Sequence, residues 1–233
     1  MHEHPIAQLF PPARVRIVAP RLELRLPTEL EIVAMHEEAG RGIHDPDTMP
    51  FAFPWTDDAD DVRGFGTYQA HLRPRAAWTP DDWYCMFGVF VDGEPVGAQD
   101  VAAKQFATLR EVNTASWLGA RLQGHGLGTE MRQAVLHFAF DVLGALAANT
   151  GAYDDNPGSN RVSEKVGYAR NGHRSVVRRR GPNAPGGEST ERALELRYRL
   201  ERDAWLERRR DDIEVLGIDD EVLAAFGASA PVA

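Results

Sequence analysis

Residues 117–131 read WLGARLQGHGLGTEM. Gly124, Gly126 and Gly128 fall between a run of strand formers and a run with helical spacing. Glycine lets a backbone approach a ligand closely and take up left-handed conformations. The first turn of the following helix leaves N–H groups without partners, and the helix dipole adds partial positive charge there. Strand, Gly-rich turn and helix start together suit an anion such as a pyrophosphate, without any Lys. A plain flexible connection carries the same glycines, so the turn alone does not decide. Two other nucleotide-binding turns fit less well. A P-loop ends in Gly-Lys-Ser/Thr, whereas this turn ends in Gly128-Thr129-Glu130. A dinucleotide fingerprint spaces GxGxxG after the first strand of a βαβ unit, whereas GHGLG has another spacing and sits mid-chain.

Downstream of the turn, Leu127, Met131, Val135, Phe138, Val142 and Leu146 recur every three or four residues, predicting a helix over about 127–146. A short strand, a short helix over 158–166 and two late strands, 168–173 and 192–200, follow. The stretch between those strands, RSVVRRRGPNAPGGEST, reads as a polar loop. A last helix is expected over 201–210. Upstream, 111–118 reads as a strand. Before it, the runs 83–91 and 95–103 flank Asp92-Gly93, a strong hairpin signal because a type I′ turn needs φ > 0 at both positions. Arg21 to Leu26 alternates apolar and charged residues as a half-buried strand. Thr28 with Glu31 forms a capping box for a helix through Arg41. Residues 42–56 are Pro-rich and aromatic, hence a loop, and Thr56 or Asp57 caps a second helix to about Ala76. The order predicts a mixed sheet with helices on both faces, an α/β (α+β) fold. The organisation expected is an irregular or docked arm over 1–20, one domain over 21–205 and a loosely packed acidic tail over 206–233.

Composition narrows the functions. The 233 residues are 43% hydrophobic and 26% charged, as in an ordinary globular chain. No apolar run approaches the roughly 20 residues of a membrane helix, and the start carries no secretory h-region. The net charge is -9, so duplex nucleic acid is a poor partner, although a local phosphate site needs only a few donors. Cys85 is the single cysteine, which excludes an internal disulfide and fits a reducing cytoplasm. No Cys/His cluster has zinc spacing, so no metal is expected.

Gln123-Gly124-His125-Gly126-Leu127-Gly128 resembles the Q/R-x-x-G-x-G/A signature of GNAT acyltransferases. NPGSNRVSEKVGY (156–168) resembles the second motif of that superfamily, matching at Asn156, Ser159, Glu164, Lys165, Gly167 and Tyr168. PRLELRLPT (20–28) is similar to the opening strand of its RimJ/RimL-like branch. HDPDTMPFAFPWT (44–56), residues 116–140 and DNP (155–157) are similar to succinyl-CoA transferase-like members of that branch. The resemblance spans roughly 20–205. It implies a curved, mostly antiparallel sheet splayed between the fourth and fifth strands, where an acyl-CoA, acetyl-CoA or succinyl-CoA, wedges in. Carried over by position, the amides of Gln123, Gly124, His125, Gly126, Leu127, Gly128 and Thr129 hold the pyrophosphate. Trp117, Leu118 and Gly119 pair with the pantetheine arm, and Asn156 and Ser159 touch it from the other side. The acceptor implied is a primary amine of a small molecule, peptide or protein, and the branch implies a dimer.

The pattern breaks at the acid and base. Where many relatives carry a Glu base stands Asn113, an amide that takes no proton, with Glu111 two residues earlier as a substitute through water. Where many carry a Tyr acid, seven residues after Asn156, stands Ser163. These departures leave a non-catalytic acyl-CoA sensor as the alternative reading. His44, Asp45, Phe53 and Trp55, beside Phe51, are candidate acceptor contacts, although aromatic residues there also serve as plain packing. Arg174, Arg178, Arg179 and Arg180 form either a solvated run or a reader for the carboxylate of a dicarboxylic acyl group.

Overall fold

Asp92 and Gly93 both adopt positive φ, 52° and 84°, and turn β3 (Asp82–Val91) into β4 (Glu94–Lys104), the longest pairing at the centre of the sheet. A computed structural model describes residues 4–228. Around this hairpin lie β1 (Arg16–Ala19), β2 (Leu22–Arg25), β5 (Glu111–Leu118), β6 (Ala147–Tyr153), β7 (Ala169–Arg180), β8 (Ser189–Glu201) and β9 (Glu214–Leu216). The nine strands run in the order β7-β8-β6-β5-β4-β3-β2-β1-β9. Every pairing is antiparallel except β5 with β6.

The helices are α1 (Glu29–Gly40), α2 (Asp60–Ala76), α3 (Phe106–Leu109), α4 (Leu127–His137), α5 (Pro157–Val166), α6 (Arg202–Leu206) and α7 (Asp220–Ala225). Thr28 and Glu31 close the expected capping box on α1. On one face of the sheet, Leu127, Met131 and Val135 of α4 pack with Ile17, Leu24, Phe87, Val101 and Val112. Ile32 and Met35 of α1 and Ala98 of β4 are buried outside that cluster, under the helices of the other face. Burial of this kind contributes roughly 1.5–3 kcal/mol per large side chain. No helix among the described residues is long and apolar enough to cross a membrane.

The long helix is shorter than its periodicity predicts. It gives way to a π-turn over Phe138–Val142, and Gly144 at φ 71° ends it, its carbonyl bonded by Arg110. Leu146 is 55% exposed and belongs to no stripe. Both ends of the chain pack into the fold. The arm contributes β1 to the sheet, and β9 from the acidic tail pairs with it. Val222 of α7 and Phe226 at its C-cap are fully buried, and the indole N–H groups of Trp78 and Trp83 donate to the carbonyls of Ala225 and Phe226. Charge counting hides the tail's apolar face, Val222, Leu223 and Phe226, because acids dominate the composition around it.

The stretch 174–190 is not a loop throughout. β7 continues to Arg180 and β8 starts at Ser189, so only 181–188 turn. Both strands are largely exposed there, and without a buried face the period-two signal of a strand is faint.

Candidate functional site

The parallel pairing of β5 and β6 lasts for only three residues, Glu111 to Asn113 against Ala147 to Asn149. Beyond it the strands part, which is the splay expected between the fourth and fifth strands; β1 shifts their numbers by one. A cleft of about 910 Å³ opens at that point. Its walls are β5, β6, the glycine turn, α5, the loop 43–53 and the β7–β8 hairpin.

Gly124 and Gly126 take φ of 79° and 85°, so the turn needs glycine there. Gly126 is the N-cap of α4 and no side chain caps the helix. Among the described residues, the N–H groups of Gly124, His125, Gly126, Leu127 and Gly128 have no hydrogen-bond partner. The other two expected amides are taken: Gln123 donates to Ala120 and Thr129 donates to Gly126. The Gln123 side chain has a separate task. Its Nε2 donates to the carbonyls of Ile43 and Leu118, at 2.6 and 2.8 Å, and ties the turn to β5 and to the loop. The residues present therefore fit a diphosphate held by main-chain N–H groups.

Arg21, which the sequence reading overlooks, braces the turn from beneath. It donates to the His125 carbonyl at 2.8 Å and to Glu130, which is 2% exposed. No local pattern marks it, because Glu130 lies 109 residues away. The His125 side chain is exposed and lines no part of the cleft.

Trp117 and Leu118 line the cleft on the edge of β5 that β6 has left, with their other edge paired to β4. That free edge suits a strand-like amide chain. The N–H of Gly119 already donates to Val96, and Gly119 faces Glu38 so closely that no Cβ fits. Asn156 caps α5, its Oδ1 accepting from the Ser159 N–H at 3.1 Å, and both residues line the cleft.

The catalytic candidates fare differently. Asn113 lines the cleft and is exposed. Glu111 does not line it: Arg199 bonds its carboxylate at 2.9 Å and Asn149 adds a second bond. The Arg199 hydrogen bond holds that carboxyl below the usual range, so it is a weak base. Ser163 is 1% exposed and donates to the Ser159 carbonyl inside α5, away from the cleft. A serine back-bonded to its own helix offers no proton to a ligand. The hydroxyl that stands where many relatives carry the Tyr acid thus bonds within its own helix and not into the cleft.

On the acceptor side, His44, Phe51 and Phe53 line the cleft. Both His44 ring nitrogens are engaged, with Thr56 at 2.7 Å and the Asp45 carbonyl at 2.9 Å. Asp45 makes a local turn to the Asp47 N–H and does not reach the cleft. Trp55 stands behind, between Phe51 and Trp117, with ring centroids 5.3 and 5.9 Å away. Asp57, also overlooked, fastens the hairpin to this loop. Its Oδ2 accepts from Arg180 and from the Gly181 N–H, both at 3.0 Å, and its carbonyl accepts from Asn183. Three members of the basic run are thereby accounted for: Arg174 pairs with Glu195, Arg178 with Asp155 and Arg180 with Asp57. Arg179 and Arg197 line the cleft and, among the described residues, make no ion pair.

Asp100 lies on the same sheet face as Asn113 and Ala115, in register with Ala115. Burial pushes its carboxyl up to about 7, against the Tyr84 hydroxyl that donates to it. Among the described residues no group of His, Cys, Asp and Glu could hold a metal ion.

The domain family described as acetyltransferase (GNAT) matches residues 21–169. This chain belongs to that family. Solved GNAT-like structures agree in fold. One is RimL, a ribosomal L7/L12 α-N-protein acetyltransferase in complex with coenzyme A, at 17% identity and a TM-score of 0.56, over 80% of this chain and 97% of that one. Another is Mycobacterium smegmatis RimJ in complex with CoA-disulfide, at 16% identity and 0.58, over 80% and 85%. A GCN5-related N-acetyltransferase from Brucella melitensis aligns at 15% identity and 0.59, over 82% and 80%. The GNAT family is one of acyl-CoA-dependent N-acetyltransferases, and RimL and RimJ share its fold with this chain.

Proposed function

We propose that this GNAT protein moves an acetyl or succinyl group from coenzyme A to a primary amine, in the cleft between β5 and β6. One observation carries the reading: five unpartnered amides of the Gly124–Gly128 turn open beside the free edge of β5. The acyl-CoA thioester supplies an electrophilic carbonyl and a leaving thiol. The turn amides bind the diphosphate, and the edge from Trp117 fixes the arm. Phe51 and Phe53, with Trp55 behind them, give the acceptor side an apolar wall. Asn113 orients the amine through a hydrogen bond but takes no proton, so the amine arrives neutral from solvent. Positioning then supplies most of the rate. Arg179 and Arg197, which make no ion pair among the described residues, favour a succinyl over an acetyl group, since a guanidinium suits a terminal carboxylate.

Calorimetric titration with acetyl-CoA, succinyl-CoA and CoA, followed by thiol release on a panel of amines and peptides, tests the reading. Micromolar binding with acylation of at least one amine is expected. No binding of any of the three contradicts it. A second reading, an acyl-CoA sensor, is favoured by the bound state of Glu111 and the burial of Ser163. Tight binding with no turnover on any acceptor supports it.

A further inference from the structure

Where β5 and β6 part, one side chain of α4 spans the gap. Arg132 is 3% exposed and lines the cleft. Its Nη2 donates to Ser116 Oγ of β5 at 3.0 Å, its Nη1 to Thr150 Oγ1 of β6 at 3.3 Å, and its Nε to Gln99 Oε1 of β4 at 3.3 Å. Every acceptor is neutral, and among the described residues Arg132 makes no ion pair. Asp100 acts on it only through space, and burial pushes that carboxyl up to about 7, so the buried guanidinium keeps charge to offer an anion that arrives. A guanidinium has five N–H donors; three are committed here and the Tyr168 hydroxyl lies beside a fourth, which leaves at least one for a ligand. The site also lacks an acid, because Ser163 donates into its own helix.

We propose that Arg132 is the cation that receives the departing thiolate of coenzyme A. The proposal rests on the acyl-transfer reading above. In the step, the amine nitrogen bonds to the acyl carbon as the carbon–sulfur bond breaks. The bonding pair leaves on sulfur, and the amine's surplus proton passes to water. Arg132 stays protonated throughout, since an arginine gives up no proton in a protein. It stabilises the developing charge electrostatically from a buried position. Its bonds to β4, β5 and β6 fix it before the charge appears, so little reorganisation is needed.

Free CoA bound to the full chain gives a readout independent of turnover, the ultraviolet absorbance of the thiolate followed against pH. In the wild type the bound thiol should ionise at least about one pH unit below that of free CoA. Arg132→Gln should abolish the shift and leave CoA affinity within about threefold. Arg132→Lys, which keeps the charge, should keep part of the shift and guards against a folding defect in the glutamine variant. With acetyl-CoA, Arg132→Gln should lower kcat about a hundredfold at unchanged KM for the amine. The deficit should shrink with an acetyl thioester of an aryl thiol, whose thiolate needs less stabilisation. CoA that binds with an unshifted thiol overturns the role of Arg132 alone, as does a kcat loss confined to succinyl-CoA, which would make Arg132 a reader of the acyl carboxylate. Failure of the wild type to bind CoA overturns the acyl-transfer reading and this role together.

Discussion

The two walls of the cleft are built on opposite principles. The wall at the start of α4 is main chain: a short run of residues whose glycines bend the backbone until its N–H groups face outward. The wall formed by the β7–β8 hairpin is side chain: Asp57 reaches across 123 residues to hold Arg180, and Arg178 is held by Asp155. A backbone site depends on local conformation, so its residues must be contiguous. A strap of ion pairs depends on tertiary approach, so its residues can lie anywhere.

Breaking the strap should give the largest effect. Asp57→Ala leaves Arg180, 13% exposed at its side chain, without its carboxylate, and frees the Gly181 N–H. Loss of one partner of a buried pair costs about 3–5 kcal/mol. Thermal unfolding should show that loss, while KM for the acceptor rises and CoA affinity stays unchanged. An equal loss of CoA affinity would show that the two walls are not independent.

The central strand β4 offers a pH test. Asp100 titrates near 7 in the folded chain against an ordinary 3.8, so the native state binds more protons than the unfolded state in that window. Stability from this group is present at low pH and lost as pH rises towards 7. Asp100→Asn removes the slope and should stabilise the chain at pH 8 by up to about 4 kcal/mol, at about 1.4 kcal/mol per unit. Chemical denaturation at pH 4, 6 and 8 checks it; a gain that is the same at all three would contradict the burial account.

The backbone wall should break at Gly126. A valine there meets φ 85° and the Arg21 guanidinium 3.3 Å from its Cβ. Strain of about 1–3 kcal/mol corresponds to roughly five- to 150-fold weaker CoA binding. Here the acceptor KM should not move, the reverse of the Asp57 result. The smallest effects belong to the residues that the geometry removes from the site. Ser163→Ala and Glu111→Gln should leave kcat within about twofold, because a back-bonded hydroxyl and a surface ion pair contribute little. A larger drop in a turnover assay would return either residue to the chemistry.

The same contrast explains what the sequence discloses. The hairpin at Asp92-Gly93, the capping box at Thr28 and the open turn at Gly124–Gly128 are local signals, and each stands where the pattern puts it. Arg21, Asp57 and Arg132 are not legible, because what makes them matter is a partner on another strand or helix. Ser163 misleads for a related reason: its position in the motif is right, but the orientation of its hydroxyl is set by the carbonyl one turn back. The tail misleads because its seven acids outnumber the three apolar residues at α7, Val222, Leu223 and Phe226, that dock it.

The central claim is that main-chain amides at the start of α4 hold the diphosphate of coenzyme A. Amide resonances followed by NMR during titration with CoA, and separately with pantetheine, which lacks the diphosphate, test it most directly. Large shifts at Gly124, His125, Gly126, Leu127 and Gly128 with CoA, and small ones there with pantetheine, are expected. Shifts of equal size with both ligands, or none at these five amides while CoA binds, would contradict it.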